Sequence, residues 1–245
     1  MANNKEDVII PPLLDGYSVV EIADHAFEFI NQRGDLFPNE DTKYTDALIT
    51  IPDSITAIGD FAFFNASINS INIPNSVQSI GKGAFSHTSA TGIQFRISPD
   101  QPYFAVIDNS LYNKQKKELI CGFGDTIPEG IVSIGDYAFY QQLNKTIEIP
   151  GSVTSVGSYA FYEVIDLQLD WKGNDKEDNI ITIGEYAFCG VSGCLQFPTC
   201  EAIIGCHSFE HAILPELECV SKSINLSESW RKMQLVDENQ KENRW

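Results

Sequence analysis

One string, Ile-Pro-x-x-(Ile/Val)-x-x-(Ile/Val)-Gly-x-x-Ala-Phe, recurs along the chain and constrains its fold more than any other feature. Clear copies run from Ile51-Pro52 to Ala62-Phe63, Ile73-Pro74 to Ala84-Phe85, Ile127-Pro128 to Ala138-Phe139 and Ile149-Pro150 to Ala160-Phe161. Degenerate copies close at Phe27, Phe188 and Phe209. Successive closing phenylalanines lie 36, 22, 54, 22, 27 and 21 residues apart, a base period near 22 with insertions. Self-similarity at such a period marks a solenoid, in which one unit cannot bury its apolar side but stacked units can.

Each part of the unit has a physical task. Ser70-Ile71-Asn72-Ile73 and Thr146-Ile147-Glu148-Ile149 alternate with period two, which predicts a short strand with one buried face. Proline then ends the strand by removing a ladder donor. The aliphatic pair three apart points inward on a return leg. The repeat glycine suits a left-handed or tight turn where a Cβ would clash. Ala-Phe sets a small residue beside a large ring, so Phe85 and Phe139 are expected in a column of stacked rings. Coils spaced about 4.8 Å apart would form a rod.

The whole string resembles the BspA-like leucine-rich repeats, over residues 8 to 238. Ile9-Ile10-Pro11 followed by Leu14-Asp15-Gly16-Tyr17 looks like that family's first repeat. Pro99 to Tyr103, Leu111 to Lys114 and Leu119-Ile120 are similar to its inserted hairpin, which accounts for the 54-residue step. Two departures are Ala23, in place of the repeat glycine, and Asn109-Ser110, where the family favours Asp-Gly.

The resemblance implies a leucine-rich-repeat solenoid, a right-handed coil of stacked short parallel strands with short return strands or turns, few helices and one inserted hairpin. The expected organisation is a disordered segment 1–7, about eight coils over 8–222 with the hairpin near 99–120, a cap over 223–238 and a tail over 239–245. Trp230, Met233 and Val236 would cover the last coil. The uncapped first coil, Val8 to Pro11, is an edge strand and a candidate surface for self-association.

Charge narrows the partners. Acidic residues number 34 against 16 basic ones, for a net charge of −18. Nucleic acid and anionic membrane surfaces both need clustered Lys and Arg, so neither is expected. No stretch approaches a membrane span. The opening Met-Ala-Asn-Asn-Lys-Glu-Asp contains no apolar run, so no signal peptide is read. A cytoplasmic place is expected if Met1 is the native start, and the cell surface if the family resemblance decides.

Reactive groups form no convincing constellation. His207 and His211 lie four apart beside Cys206, but no Glu follows in a zinc-protease pattern. Neither a metal, a cofactor nor an enzyme activity is expected. The six cysteines include no Cys-x-x-Cys pair and read as buried free thiols. Asp170 to Asn179 is rich in oxygen ligands but lacks calcium-loop spacing. Trp171 within it either meets a partner or folds back onto the core.

What remains is a surface. Outward strand positions read as Thr50, Asn72, Gln94, Glu148, Gln168, Gln196 and Glu218, a polar column expected to form one row. Ser70, Arg96, Thr146, Asp166 and Asp170 flank it. A second surface comprises Phe61, Tyr137, Tyr140, Tyr159, Tyr162 and Tyr186, unless those rings pack between neighbouring turns. The function expected is protein interaction. The family resemblance implies adhesion or binding of a host or extracellular-matrix protein. An intracellular scaffold is the alternative, and a metal-binding or catalytic solenoid is a third class.

Overall fold

The computed structural model describes residues 8–28, 48–66, 68–88, 93–172, 180–197, 201–214 and 217–219. These form short strands and turns and no helix. The expected N-terminal segment, the cap with Trp230, the tail and most of the loop after Lys172 lie outside the described residues. The chain divides into two compact units, residues 1–115 with 120–123 and residues 116–119 with 124–245.

In the first unit, Val8–Ile9, Leu48–Thr50, Ser70–Ile73 and Gln94–Ile97 form one parallel ladder. Each strand comes from a successive repeat. The return legs Glu21–Ile22, Ala57–Ile58 and Ser79–Ile80 form a second parallel ladder. The inserted hairpin pairs Phe104–Ile107 with Ser110–Asn113 in antiparallel register. Its turn is Asp108-Asn109, not Asn109-Ser110 as the family comparison suggested. Both residues have positive φ, 48° and 54°, as a two-residue hairpin turn requires. The first coil leaves Ile9, Leu13, Leu14, Tyr17 and Val20 exposed.

The second unit repeats the plan. Thr146–Ile149, Leu167–Trp171, Gly193–Phe197 and Leu217–Cys219 run parallel in one ladder. Ser133–Ile134, Ser155–Val156, Ile180–Ile183 and Glu201–Ile204 run parallel in the other. Alternation works as the period-two pattern predicts: Ile147 and Ile149 are buried while Thr146 and Glu148 are exposed. Trp171 is buried and lies 5.9 Å from Phe197, so it folds back onto the core.

Between the ladders the closing rings stack coil upon coil. Phe27–Phe63 and Phe63–Phe85 are 5.1 and 5.5 Å apart in the first unit. Phe139–Phe161, Phe161–Phe188 and Phe188–Phe209 are 5.0, 5.0 and 5.3 Å apart in the second. All are near-parallel, an offset-stacked geometry that suits the ring quadrupole.

The turns correct the sequence reading. The repeat glycines Gly59, Gly81, Gly157 and Gly184 are not among the residues with positive φ. Their hydrogen instead allows close stacking, since a Cβ on Gly157 would lie 2.5 Å from the Asp136 backbone nitrogen. Ala23 stands on the first described coil, and a Cβ on the next coil's Gly59 would lie 2.8 Å from its carbonyl carbon. The left-handed residues stand two positions later: His25, Phe61, Tyr137, Tyr159, Tyr186 and His207 have φ between 54° and 61°, and on one coil Gly83 takes the place at 61°.

A second left-handed residue follows each ring after the Phe, as at Gln141 and Glu163. Such conformations cost about 1–2 kcal/mol per residue. Cross-coil hydrogen bonds offset that cost. The N–H groups of Tyr137, Phe139 and Gln141 donate to the carbonyls of Ser158, Ala160 and Tyr162 at 2.7–3.0 Å. An aspartate after the glycine adds another link. Asp24 Oδ1 accepts from the Asp60 N–H at 2.7 Å, Asp60 from Lys82 at 3.0 Å, and Asp136 from Ser158 at 2.7 Å. Each such bond contributes about 1 kcal/mol net.

Candidate functional site

The strand ladder of each unit presents its outward residues in rows fixed by parallel register. Thr50 pairs with Asn72, and Asn72 pairs with Arg96. Gln94 pairs instead with Ser70, so it sits two residues out of the expected row. In the second unit Glu148 pairs with Asp170 and Asp170 with Gln196. Gln168 pairs with Thr146 and Cys194, again displaced by two. The expected single row is therefore corrected to Thr50–Asn72–Arg96 and Glu148–Asp170–Gln196.

Asn72, Gln94, Glu148, Gln168 and Gln196 are exposed, whereas Thr50 is half-buried. Of the flanking positions, Ser70 is buried rather than outward. Asp170 is ion-paired with Lys172. The Arg96 guanidinium donates weakly to Gln94 Oε1 at 3.4 Å. Glu218 pairs in register with Gln196, but its side chain lies outside the described residues.

The aromatic turns stack between coils. Tyr137–Tyr159, Tyr159–Tyr186 and Tyr186–His207 are 5.0, 5.0 and 4.9 Å apart and near-parallel. Tyr140–Tyr162 forms a parallel step at 5.2 Å. Phe61 stacks on His25 at 5.2 Å in the first unit. Acidic residues line the tyrosine rows. Tyr162 is pushed up to about 12 by burial first and then by Glu163. Tyr186 is raised by burial, by Tyr159 and by Glu210 and Glu185. The phenols therefore stay neutral at physiological pH in a negative local field.

Two histidines meet one carboxylate near the last described turn. His207 Nδ1 lies 2.8 Å from Glu210, and His211 is exposed with Nε2 3.8 Å from the same carboxylate. Among the described residues no three His, Cys, Asp or Glu side chains could hold a metal together. Among them, too, no helix is long and apolar enough to cross a membrane.

The cysteines need a correction: among the four described side chains Cys121 and Cys189 are buried, Cys194 is half-buried and Cys206 is exposed. Cys200 and Cys219 fall outside the described side chains. Burial pushes the Cys121 thiol up, and Cys189 is pushed up to about 11, so both stay protonated and inert. Thiol titration of the native protein should label Cys206 rapidly and leave Cys121 and Cys189 unlabelled. Mass mapping checks this, and early labelling of Cys121 would contradict the packing described.

Comparison with known proteins fits this architecture. The family model for the BspA type leucine rich repeat region matches residues 36–117 and 124–230 with six copies. A leucine rich cell surface protein from Faecalibacterium prausnitzii is similar at 26% identity and a TM-score of 0.56. The match covers 83% of this chain and 50% of that one, so this chain spans half the length of that relative. A leucine-rich repeat protein from Eubacterium ventriosum matches at 16% identity and a TM-score of 0.39, over 90% of this chain and 85% of that one. The pneumococcal vaccine antigen PcpA matches at 16% identity and a TM-score of 0.36, over 93% and 81%. No curated protein matches. Since the repeat that builds both ladders and the ring columns is the one the family model describes, the chain belongs to the BspA type leucine-rich repeat family.

Proposed function

We propose that this chain is a protein-interaction module of a cell-surface adhesin type, binding a host or extracellular-matrix protein through its polar strand face. The observation that carries the reading is the outward row Glu148–Asp170–Gln196, held by parallel register with the apolar residues turned inward. A partner spanning several coils would touch many such residues weakly, which suits a broad repetitive surface better than a pocket. The surface placement is supported by the name of the F. prausnitzii relative.

Asn72, Glu148 and Gln196 keep their places after the register correction, so they make the test. Simultaneous Asn72→Arg, Glu148→Arg and Gln196→Arg should leave the thermal midpoint nearly unchanged, because all three are exposed. Binding to a panel of immobilised plasma and matrix proteins should then fall at least about tenfold relative to the parent. A triple variant that binds as well as the parent would rule out the strand face. A folded parent that binds no protein of the panel would count against the adhesin reading.

A further inference from the structure

A second surface lies on the turns of the second unit, just before the ladder strands begin. The residue four after each closing Phe is Leu143, Ile165, Ser192 and Ile213 on successive coils. Leu143 and Ile165 form a parallel bridge, as do Ser192 and Ile213, and the half-buried Ser192 follows on Ile165 through its N–H, which donates to the Val164 carbonyl at 3.1 Å. The three aliphatic side chains of this row are 56%, 49% and 71% exposed. Singly exposed aliphatics need no explanation, but an aligned row of them on one solenoid edge marks an interaction surface.

Charge says what kind of partner fits. The turn segments 135–144, 157–166, 184–193 and 205–213 carry Asp136, Glu163, Asp166, Glu185 and Glu210 but no lysine or arginine. Glu163 and Asp166 flank Ile165 in sequence and both are exposed. Glu163 is held by the Gln141 amide, which donates to it at 2.6 Å. That neutral donor orients the carboxylate and leaves its charge in place. The tyrosine row Tyr140–Tyr162, three residues before the aliphatic row, adds ring surface for long aliphatic stems to lie against.

Spacing says what conformation fits. Equivalent rings on successive coils of this unit are 5.0 Å apart. One helical turn rises about 5.4 Å, while same-face residues of an extended strand recur about every 6.8 Å. A helix lying along the stacking direction therefore stays in step with the row over these coils, and an extended chain does not. We propose that the Leu143–Ile165–Ile213 edge docks a cationic amphipathic helix of a protein partner. Its apolar residues at i, i+3/i+4 and i+11 meet Leu143, Ile165 and Ile213, with a small residue at i+7 over Ser192, and its Lys or Arg side chains meet Glu163, Asp166 and Glu210. This row shares no residue with the outward strand rows, so different substitutions test the two readings.

The probe is a fluorescent Leu/Lys peptide of roughly 18 residues patterned as an amphipathic helix, with a scrambled control of identical composition. Anisotropy with the intact chain should show the patterned peptide binding at least about tenfold tighter than the scrambled one. The variant Leu143→Ser/Ile165→Ser/Ile213→Ser should erase that difference without altering net charge. The variant Glu163→Gln/Asp166→Asn, which keeps the aliphatic row, should weaken binding and flatten its salt dependence. The strand-face variant Asn72→Ser/Gln196→Ser, which leaves net charge unchanged, should bind the peptide as the parent does. Equal binding of the two peptides would show charge attraction alone, or a preference for extended basic segments, and overturn the proposal. So would a folded serine variant that binds like the parent. Should that variant not fold, unchanged affinity and salt dependence in the Gln/Asn variant would refute it instead.

Discussion

Phe161→Ala should destabilise the second unit by about 3–5 kcal/mol, a large share of the roughly 5–15 kcal/mol an ordinary domain has to lose. Phe161 is fully buried, with Phe139 and Phe188 each 5.0 Å away and within 10° of parallel. Removing it deletes the ring's own burial and leaves the two neighbouring rings facing a void. Each lost ring pair adds about 0.5–1.5 kcal/mol beyond area, which places the expected loss in the upper half of the range. Collapse into the void is opposed by the backbone, since the Phe161 N–H donates to the Ala187 carbonyl at 2.7 Å. Phe85→Ala should act similarly in the first unit, where Phe63 stacks at 5.5 Å and Phe95 meets the ring edge-on at 5.2 Å. Leu143→Ala, at a half-exposed site, is the control and should cost less than about 0.5 kcal/mol. Urea unfolding of the three variants measures this; a Phe161→Ala midpoint no lower than that of Leu143→Ala would contradict the column.

The column was legible because its signal is redundant: the same Ala-Phe pair closes repeat after repeat, and the only geometry that buries every ring is a stack. Strand ends were legible for a similar reason, since the proline after Ile73 or Ile149 can neither donate to the ladder nor continue it. The turn chemistry was not. A glycine beside an aromatic residue suggests that the glycine takes the left-handed conformation. Here the tyrosine takes it and the glycine makes room, because a neighbouring coil approaches from one side. Nothing in a single repeat reveals that neighbour. The information lies in the stacking distance, which sequence does not carry.

The outward row shows the same division at finer scale. Asn72, Glu148 and Gln196 were placed in the right rows because an Ile-Pro or Phe-Pro follows each one and frames the strand. Gln94 and Gln168 were misplaced because their strands lack that frame. Ile97 and Trp171 stand opposite Ile73 and Ile149, but Ser98 and Lys172 follow them where proline would be. With two outward residues per strand and no proline to index them, alternation alone cannot say which is aligned. Cys206 was misread for a simpler reason. It follows the repeat glycine, the position of Asp60 and Asp136, so the repeat frame itself marks it as a surface residue.

Gly193→Ala should be the most damaging of the glycine substitutions, costing at least about 4 kcal/mol or preventing folding. Two effects coincide there. Its φ is +140°, in a region that side chains rarely adopt, and a Cβ would lie 2.0 Å from the Leu167 carbonyl oxygen. The obstructing atoms are backbone. Leu167 pairs with Gly193 in the ladder, and its N–H donates to the Ser192 carbonyl at 2.8 Å. Retreat would break the ladder that carries Glu148, Asp170 and Gln196. Two other glycines separate the two effects. Gly157 lacks a positive φ but would meet the Asp136 nitrogen at 2.5 Å, so Gly157→Ala tests steric approach alone. Gly130 has φ +88° with nothing within 4 Å of a Cβ, so Gly130→Ala tests backbone strain alone and should cost about 1–2 kcal/mol. The expected order of loss in urea unfolding is Gly193, then Gly157, then Gly130. If Gly157→Ala cost less than Gly130→Ala, coil-to-coil approach would not be the reason the repeat keeps its glycine.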